Sequence, residues 1–252
     1  MIIIKSDEEI ELMRTSGKVT GTILHELKDF IRPGLSTLDI DRFVEKRIRR
    51  HGMVPTFLGY NGFPASACVS INDEVVHGIP EKGRILQEGD IVSVDIGSTY
   101  KGYVSDAART YAVGKISDEA RRLIEVTEAS FFEGIRYARV GHRLSDISHA
   151  VQEVAEAAGF GVIRDYVGHG VGHDMHEDPP IPNYGKAGKG PRLVKGMALA
   201  IEPMIVQGSY ECEKLLNDWT VVTADGKLAA HYENTVVITD DEPELLTLYR
   251  EE

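Results

Sequence analysis

The sequence predicts an α+β fold made of two similar halves, and three observations point to it. Stretches with helical periodicity, followed by strand-like segments, occur twice along the chain. At a constant spacing of 107 residues, Gly34, Asp39, Ile40, Val44 and Gly52 match Gly141, Asp146, Ile147, Val151 and Gly159. The same spacing places Leu86 on Leu193, Gly89 on Gly196 and Asp95 on Glu202. Residues 91–97 and 103–111 are adjoining strand-like runs joined by a short reversal, which calls for antiparallel pairing. No low-complexity stretch separates the repeats. The chain therefore reads as one domain, 1–252, with halves at about 1–112 and 113–252.

The elements follow in order. Ser6 and Glu9 form a capping-box signature, and Ile10, Met13, Ile23, Leu24, Leu27 and Phe30 recur at helical spacing. This helix stops near Arg32, because Pro33 and Gly34 punctuate the chain. A second helix over 37–50 carries Ile40, Phe43, Val44 and Ile48 on one side and ends before Gly52. Strands are expected at 67–71, 91–97 and 103–111. Ser117 then opens a helix reaching about Arg139, and a shorter one covers 145–158 and stops at Gly159. Strands at about 162–166, 197–201 and 230–239 complete the expectation.

Composition narrows the function. The 252 residues, 42% hydrophobic, suffice for a sizeable core. A formal net charge of −12, without any Lys or Arg run, argues against nucleic acid and anionic membranes as partners. The longest apolar runs, such as 2–4 and 197–201, fall far short of the ~20 residues that span a bilayer. The amino terminus turns acidic at Asp7, unlike a signal peptide, so a cytoplasmic location is expected. Two cysteines, Cys68 and Cys212, exclude a disulfide framework.

The informative residues are acids inside apolar segments. With a reversal at Tyr100–Lys101, Asp95 would stand opposite Asp106, their Cβ atoms roughly 5 Å apart. Carboxylates held that close in a core repel unless they share a proton or a cation. Glu202, in ALAIEPM, and Glu233, in HYENTVVIT, are two further acids within apolar surroundings. Residues 168–178, GHGVGHDMHED, add histidines, and glycines at 168, 170 and 172 argue against a helical zinc motif there. One imidazole joined to four carboxylates suits two divalent metals bridged by carboxylates.

With those segments in place, the chain resembles type I methionine aminopeptidases of the pita-bread fold over its whole length. The resemblance is carried by NDEVVHGIP (72–80), VDIG (94–97), SDAA (105–108), GHGVGHDMHEDP (168–179), AIEPM (200–204) and HYENT (231–235). It implies two pseudo-symmetric halves, with antiparallel sheet at the centre and helices outside. It also implies two divalent ions, with Mn, Fe, Co and Zn all chemically admissible. Asp95 would chelate one, Asp106 and Glu233 would bridge both, and His169 with Glu202 would complete the other. Glu202 would act as the base. His77 and His176 would contact the substrate, and Phe57, Tyr60, Phe63, Cys68, Met175 and Trp219 would form the pocket for a methionine side chain.

The implied reaction is removal of the N-terminal methionine from nascent polypeptides when a small residue follows. Association with the ribosome is compatible with that role, and a monomer is expected. Two positions depart from the family pattern. Met175 is often aromatic in relatives, and Asn234 stands where many carry His. His173 is assigned no role, and His25, His51, His142, His149 and His231 are read as helix-surface or structural residues. Proline-specific relatives usually carry an extra amino-terminal domain, which Asp95 comes too early to allow. Type II relatives carry an insertion between the last two ligands, and only 30 residues separate Glu202 from Glu233 here. Metal-free binding relatives lose ligands, and all five are present.

Overall fold

Local sequence signals set the helices where they stand in this computed structural model, which describes residues 1–251. Helix α1 (Asp7–Phe30) begins at the Ser6 cap: the Glu9 amide donates to Ser6 Oγ, and the Ser6 amide donates to Glu9 Oε2 at 2.7 Å. Helix α2 (Thr37–Arg50) opens on a second reciprocal cap, with Ser36 and Asp39 exchanging bonds, and stops at Gly52 with φ 70°. Helices α3 (Asp118–Ile135) and α4 (Leu144–Ala157) follow, and Gly159 after α4 repeats the left-handed stop with φ 84°. Helix α3 ends earlier than the periodicity predicted. The amides of Arg136, Tyr137 and Ala138 bond to carbonyls only three residues back, which tightens the chain into turns.

The strands are β1 (Val54–Pro55), β2 (Ala67–Ile71), β3 (Glu74–Val76), β4 (Ile91–Tyr100), β5 (Tyr103–Ala112), β6 (Gly161–Val162), β7 (Gly168–Gly170) and β8 (Glu177–Ile181). Then come β9 (Ala198–Ile201), β10 (Met204–Val206), β11 (Cys212–Lys214), β12 (Val221–Thr223), β13 (Ala229–His231), β14 (Asn234–Val237) and β15 (Glu244–Leu245). Every pairing is antiparallel. The first half builds a sheet in which β4 pairs with β5 on one edge and with β1 and β2 on the other. The second half builds β15-β14-β9-β7-β8, and two three-stranded sheets, β13-β10-β6 and β11-β12-β3, flank them.

The spacing of 107 has structural counterparts. It carries α2 onto α4 end for end, and it carries the bridge between Ser36 and Ile85 onto that between Arg143 and Arg192. Helix α1 packs Val19, Ile23, Leu24 and Leu27 against Val94, Ile96 and Ala107 of the first sheet. In the second half Phe131, Ile135 and Ile147 pack on Leu199, Ile201 and Val236. Burial of each such aliphatic side chain stabilises by about 1.5–3 kcal/mol.

Three strand expectations need correction, and each bears on the site. First, the β4–β5 hairpin turns through two residues, Lys101 (φ 47°) and Gly102 (φ 85°), the left-handed pair of a type I′ turn. Tyr100 therefore faces Tyr103, Asp95 faces Ala108, and Asp106 faces Gly97. Asp95 and Asp106 share a face as diagonal neighbours and are not directly opposed. Second, the segment expected at 162–166 is strand only in β6. Third, the run expected at 230–239 is two strands. Its first part, β13, pairs with β10, and its second, β14, pairs with β9. The chain changes sheets at Tyr232–Glu233, just as it does at Glu202–Pro203. Both glutamates sit where the ladders are interrupted, not inside strands.

The two large sheets meet at β5 and β14. The Asp106 amide donates to Thr235 Oγ1, and Thr235 Oγ1 donates to the Asp106 carbonyl, each at 2.9 Å. The Glu233 amide donates to the Ala108 carbonyl at 3.0 Å. Carboxylates from both halves are thereby brought to one seam.

Candidate active site

Asp95 projects from β4 between the buried Val94 and Ile96, and Asp106 projects from β5 onto the same face. His169 occupies the middle of β7, a strand clamped between β8 and β9. A side chain at Gly168 would press on the Ala200 carbonyl and one at Gly170 on the Asp178 carbonyl, so the glycines are what allow this close passage. His169 Nδ1 donates to the Gly170 carbonyl at 2.9 Å, which fixes the tautomer and leaves the Nε2 lone pair free. That Nε2 lies 3.5 Å from Glu202 Oε1 and 3.7 Å from Asp106 Oδ2. Asn183 Nδ2 holds the Glu202 carbonyl at 2.9 Å, and Arg109 holds the Glu233 carbonyl.

All five residues line one cavity of about 250 Å³. Their electrostatics are unfavourable without a cation. Burial, reinforced by repulsion from Asp106, drives the Asp95, Glu202 and Glu233 carboxyls well above the usual range. Burial also raises Asp106, to about 7. Asp95 Oδ1, Asp106 Oδ1 and Glu233 Oε1 are buried with no hydrogen-bond partner. Orphaned oxygens of this kind, converging with a free imidazole nitrogen, fit hard to borderline divalent ions.

The expected pocket residues line the same cavity: Phe57, Tyr60, Phe63, Cys68, Met175 and Trp219. Phe57, Phe63 and Cys68 are buried, Phe63 meets Trp219 edge to face at 5.1 Å, and Met175 packs against this cluster. His77 and His176 line the cavity as well. The His77 ring contacts Tyr166 and Trp219 edge-on at 5.7 and 6.4 Å. Burial, then the neighbouring His176, lowers His77 to about 4, and burial lowers His176 as well. Both imidazoles are neutral at pH 7. The Tyr60 hydroxyl lies 2.8 Å from His176 Nδ1, and burial raises the Tyr60 pKa. Tyr60 donates that bond when the His176 proton sits on Nε2.

The departures are accommodated. Asn234 is fully buried behind the site, its Oδ1 accepting from Arg109 Nη2 at 2.7 Å and Thr247 Oγ1 at 2.9 Å. It buttresses the segment carrying Glu233 and leaves that carboxylate in place. His173 is exposed, beside Tyr103, and His25, His51, His142 and His149 stand outside the cavity. His231, read from the sequence as helix-surface or structural, lies in β13 close to two of the carboxylates. It is buried, with Nε2 lying 3.7 Å from Glu202 Oε2 and 3.8 Å from Glu233 Oε2. Sequence reasoning also named none of Asn61, Val76, Tyr166, Val167 and Met204 as site residues, and all of them line the cavity. His231 was detectable in principle, because residues two apart in extended chain share a face and Glu233 follows it by two.

Comparison with known proteins bears on this geometry. Residues 11–240 match the model of metallopeptidase family M24. The chain is 59% identical over 248 residues to the methionine aminopeptidase of Clostridium acetobutylicum, covering 98% of this chain and 99% of that protein. It is 51% identical over 247 residues to methionine aminopeptidase 1 of Bacillus subtilis, covering 98% and 99%. The crystal structure of methionine aminopeptidase from Thermotoga maritima is similar at a TM-score of 0.97 and 46% identity, covering 98% of this chain and 99% of that one. The prolidase from Pyrococcus furiosus, at 22% identity, covers 99% of this chain and 66% of its own with a TM-score of 0.77, a likeness of fold alone.

Proposed function

The chain belongs to metallopeptidase family M24, and from that premise we propose that it hydrolyses the peptide bond after an N-terminal methionine. It is a metalloaminopeptidase of pita-bread fold. The observation that carries the reading is the convergence of four carboxylates and one imidazole on a cavity whose remaining wall is an apolar pocket. We assign Asp95 to one divalent ion, Asp106 and Glu233 to both, and His169 with Glu202 to the second. Such ions, when bound, supply Lewis acidity and lower the pKa of a coordinated water. The chain's division into halves at about residue 112, within a single catalytic domain, belongs to the same reading.

The chain's own groups do the rest. Phe57, Phe63, Cys68, Met175 and Trp219 exclude water around an unbranched thioether side chain. The acidic cluster attracts a free terminal amine, which an acylated terminus cannot supply. Glu202, made more basic than an ordinary glutamate by burial and the charge of Asp106, accepts a proton from the attacking water and delivers it to the leaving amine. With Tyr60 donating to Nδ1, His176 presents an Nε2–H to the developing oxyanion. His77, steadied by the edges of Tyr166 and Trp219, holds the scissile amide.

Among the described residues no helix is long and apolar enough to cross a membrane. We place the enzyme in the cytoplasm, acting as a monomer on nascent chains, and that substrate is compatible with ribosome association. Small second residues are accepted because the chain after the methionine must pass close to the carboxylates and histidines. The test is release of free methionine from Met-Ala-Ser, Met-Leu-Ser and an Xaa-Pro peptide, each with and without chelator. The expected result is a kcat/KM at least about tenfold higher for Met-Ala-Ser than for the others, abolished by chelation. Comparable values for Met-Ala-Ser and Met-Leu-Ser would refute the second-residue preference. Faster cleavage of the Xaa-Pro peptide would refute the assigned activity.

A further inference from the structure

The imidazole of His231 belongs to none of the roles assigned above, yet it ends at the metal centre. It sits at the last position of β13, where the chain leaves one sheet for the next. Its main chain is pinned from both sides: the amide donates to Thr110 Oγ1 at 2.9 Å, and the carbonyl accepts from the same hydroxyl at 2.9 Å. The backbone is thereby fixed, and the side chain on it is buried. Its Nε2 is buried without a hydrogen-bond partner, and a nitrogen left so is costly unless something fills the gap.

What faces it is informative. Glu202 Oε2 at 3.7 Å and Glu233 Oε2 at 3.8 Å are both too far for a good hydrogen bond and nearly equidistant. The ligand atoms of Glu202, His231 and Glu233 all lie within 4.8 Å of one another. The two distances from His231 exceed by only a few tenths of an ångström the roughly 3.3–3.6 Å that separates tetrahedral ligands standing about 2.0–2.2 Å from one ion. The second trio lying within 4.8 Å, Asp106, His169 and Glu233, shares Glu233 with the first. His169 faces Glu202 Oε1 and His231 faces Oε2, so the two imidazoles flank one carboxylate from opposite oxygens.

We propose that His231 is a sixth protein ligand of the metal centre, donating Nε2 to the ion that Glu202 and Glu233 hold. This rests on the metallopeptidase reading and adds a second imidazole to its donor set of four carboxylates and one histidine. A second nitrogen donor raises the site's preference for later first-row ions over hard ones such as Mg²⁺. It also removes the orphaned nitrogen without requiring a buried water.

The test is ¹⁵N NMR of histidine-labelled, unaltered protein loaded with ¹¹³Cd²⁺, reading one-bond coupling on the ring nitrogens. Two histidines are expected to show coupling through Nε2. His231→Gln should abolish one of the two signals, leave that of His169, and weaken Cd²⁺ binding at least about tenfold. Coupling at a single histidine in the unaltered protein would overturn the inference and leave the metallopeptidase assignment intact. Absence of coupling at both would overturn that assignment too. If His231→Gln does not fold, the count of coupled histidines in the unaltered protein still decides the question.

Discussion

Replacing Glu202 by Gln is expected to lower kcat by at least about a hundredfold while KM changes little. The amide keeps the size of the carboxylate and an oxygen for coordination, but it cannot accept the proton of the attacking water. Positioned general acid–base groups contribute about 10²- to 10⁴-fold, and that contribution is what this substitution removes. The Glu202 carboxyl is well placed for the task. Burial and the charge of Asp106 make it more basic than an ordinary glutamate, and Asn183 fixes its backbone. Assays at saturating metal separate the loss of a base from loss of the ions, with metal content measured on the same sample. More than about a tenth of the original kcat with both ions bound would remove Glu202 from the proton-transfer role.

Removing a bridging carboxylate is expected to empty the centre. Asp106→Ala or Glu233→Ala withdraws the charge that lies between the two cations, so both sites weaken together, whereas Asp95→Ala weakens one. The folds of these variants should survive. The β5–β14 seam depends on the Asp106 main chain and Thr235, and the Glu233 amide is held by Ala108, none of which the substitutions touch. Without metal, deleting one of four mutually repelling buried carboxylates even relieves the protein. Purified variants should hold fewer than one ion per chain by elemental analysis, with thermal midpoints at or above that of the metal-free parent. Two tightly bound ions in either variant would contradict the bridging assignment.

Much of this architecture was legible where the determinants are local. Ser6 with Glu9 and Ser36 with Asp39 announce helix starts over three residues, and Gly52 and Gly159 announce the stops. The hairpin register was misread by a misplaced turn, although Lys101-Gly102 is a recognisable type I′ pair. Short strands were less accessible. Strand β3 exists because β12 pairs with it from some 145 residues away, and no local pattern encodes such a partner. Glu202 and Glu233 were identified as acids in apolar surroundings, but their position at sheet changes depends on which strands their neighbours join. His231 was passed over because its importance lies in where Nε2 ends, which the folded chain alone determines.

The most direct measurement of the central claim is anomalous diffraction from crystals grown with a single transition metal at limiting and then at saturating concentration. At saturation two peaks are expected, both touching Asp106 and Glu233, one completed by Asp95 and the other by His169 with Glu202. At limiting metal the His169 peak should appear first. The matching position in the first half is Ser70: it pairs with Ser93 as His169 pairs with Ala200, and the local spacing of 99 residues is the one that also relates His77 to His176. Its hydroxyl already accepts from the Gly78 amide at 3.1 Å and is a poor donor to such ions. No peak among the five residues at saturation, or a filled Asp95 site beside an empty His169 site at limiting metal, would contradict the account.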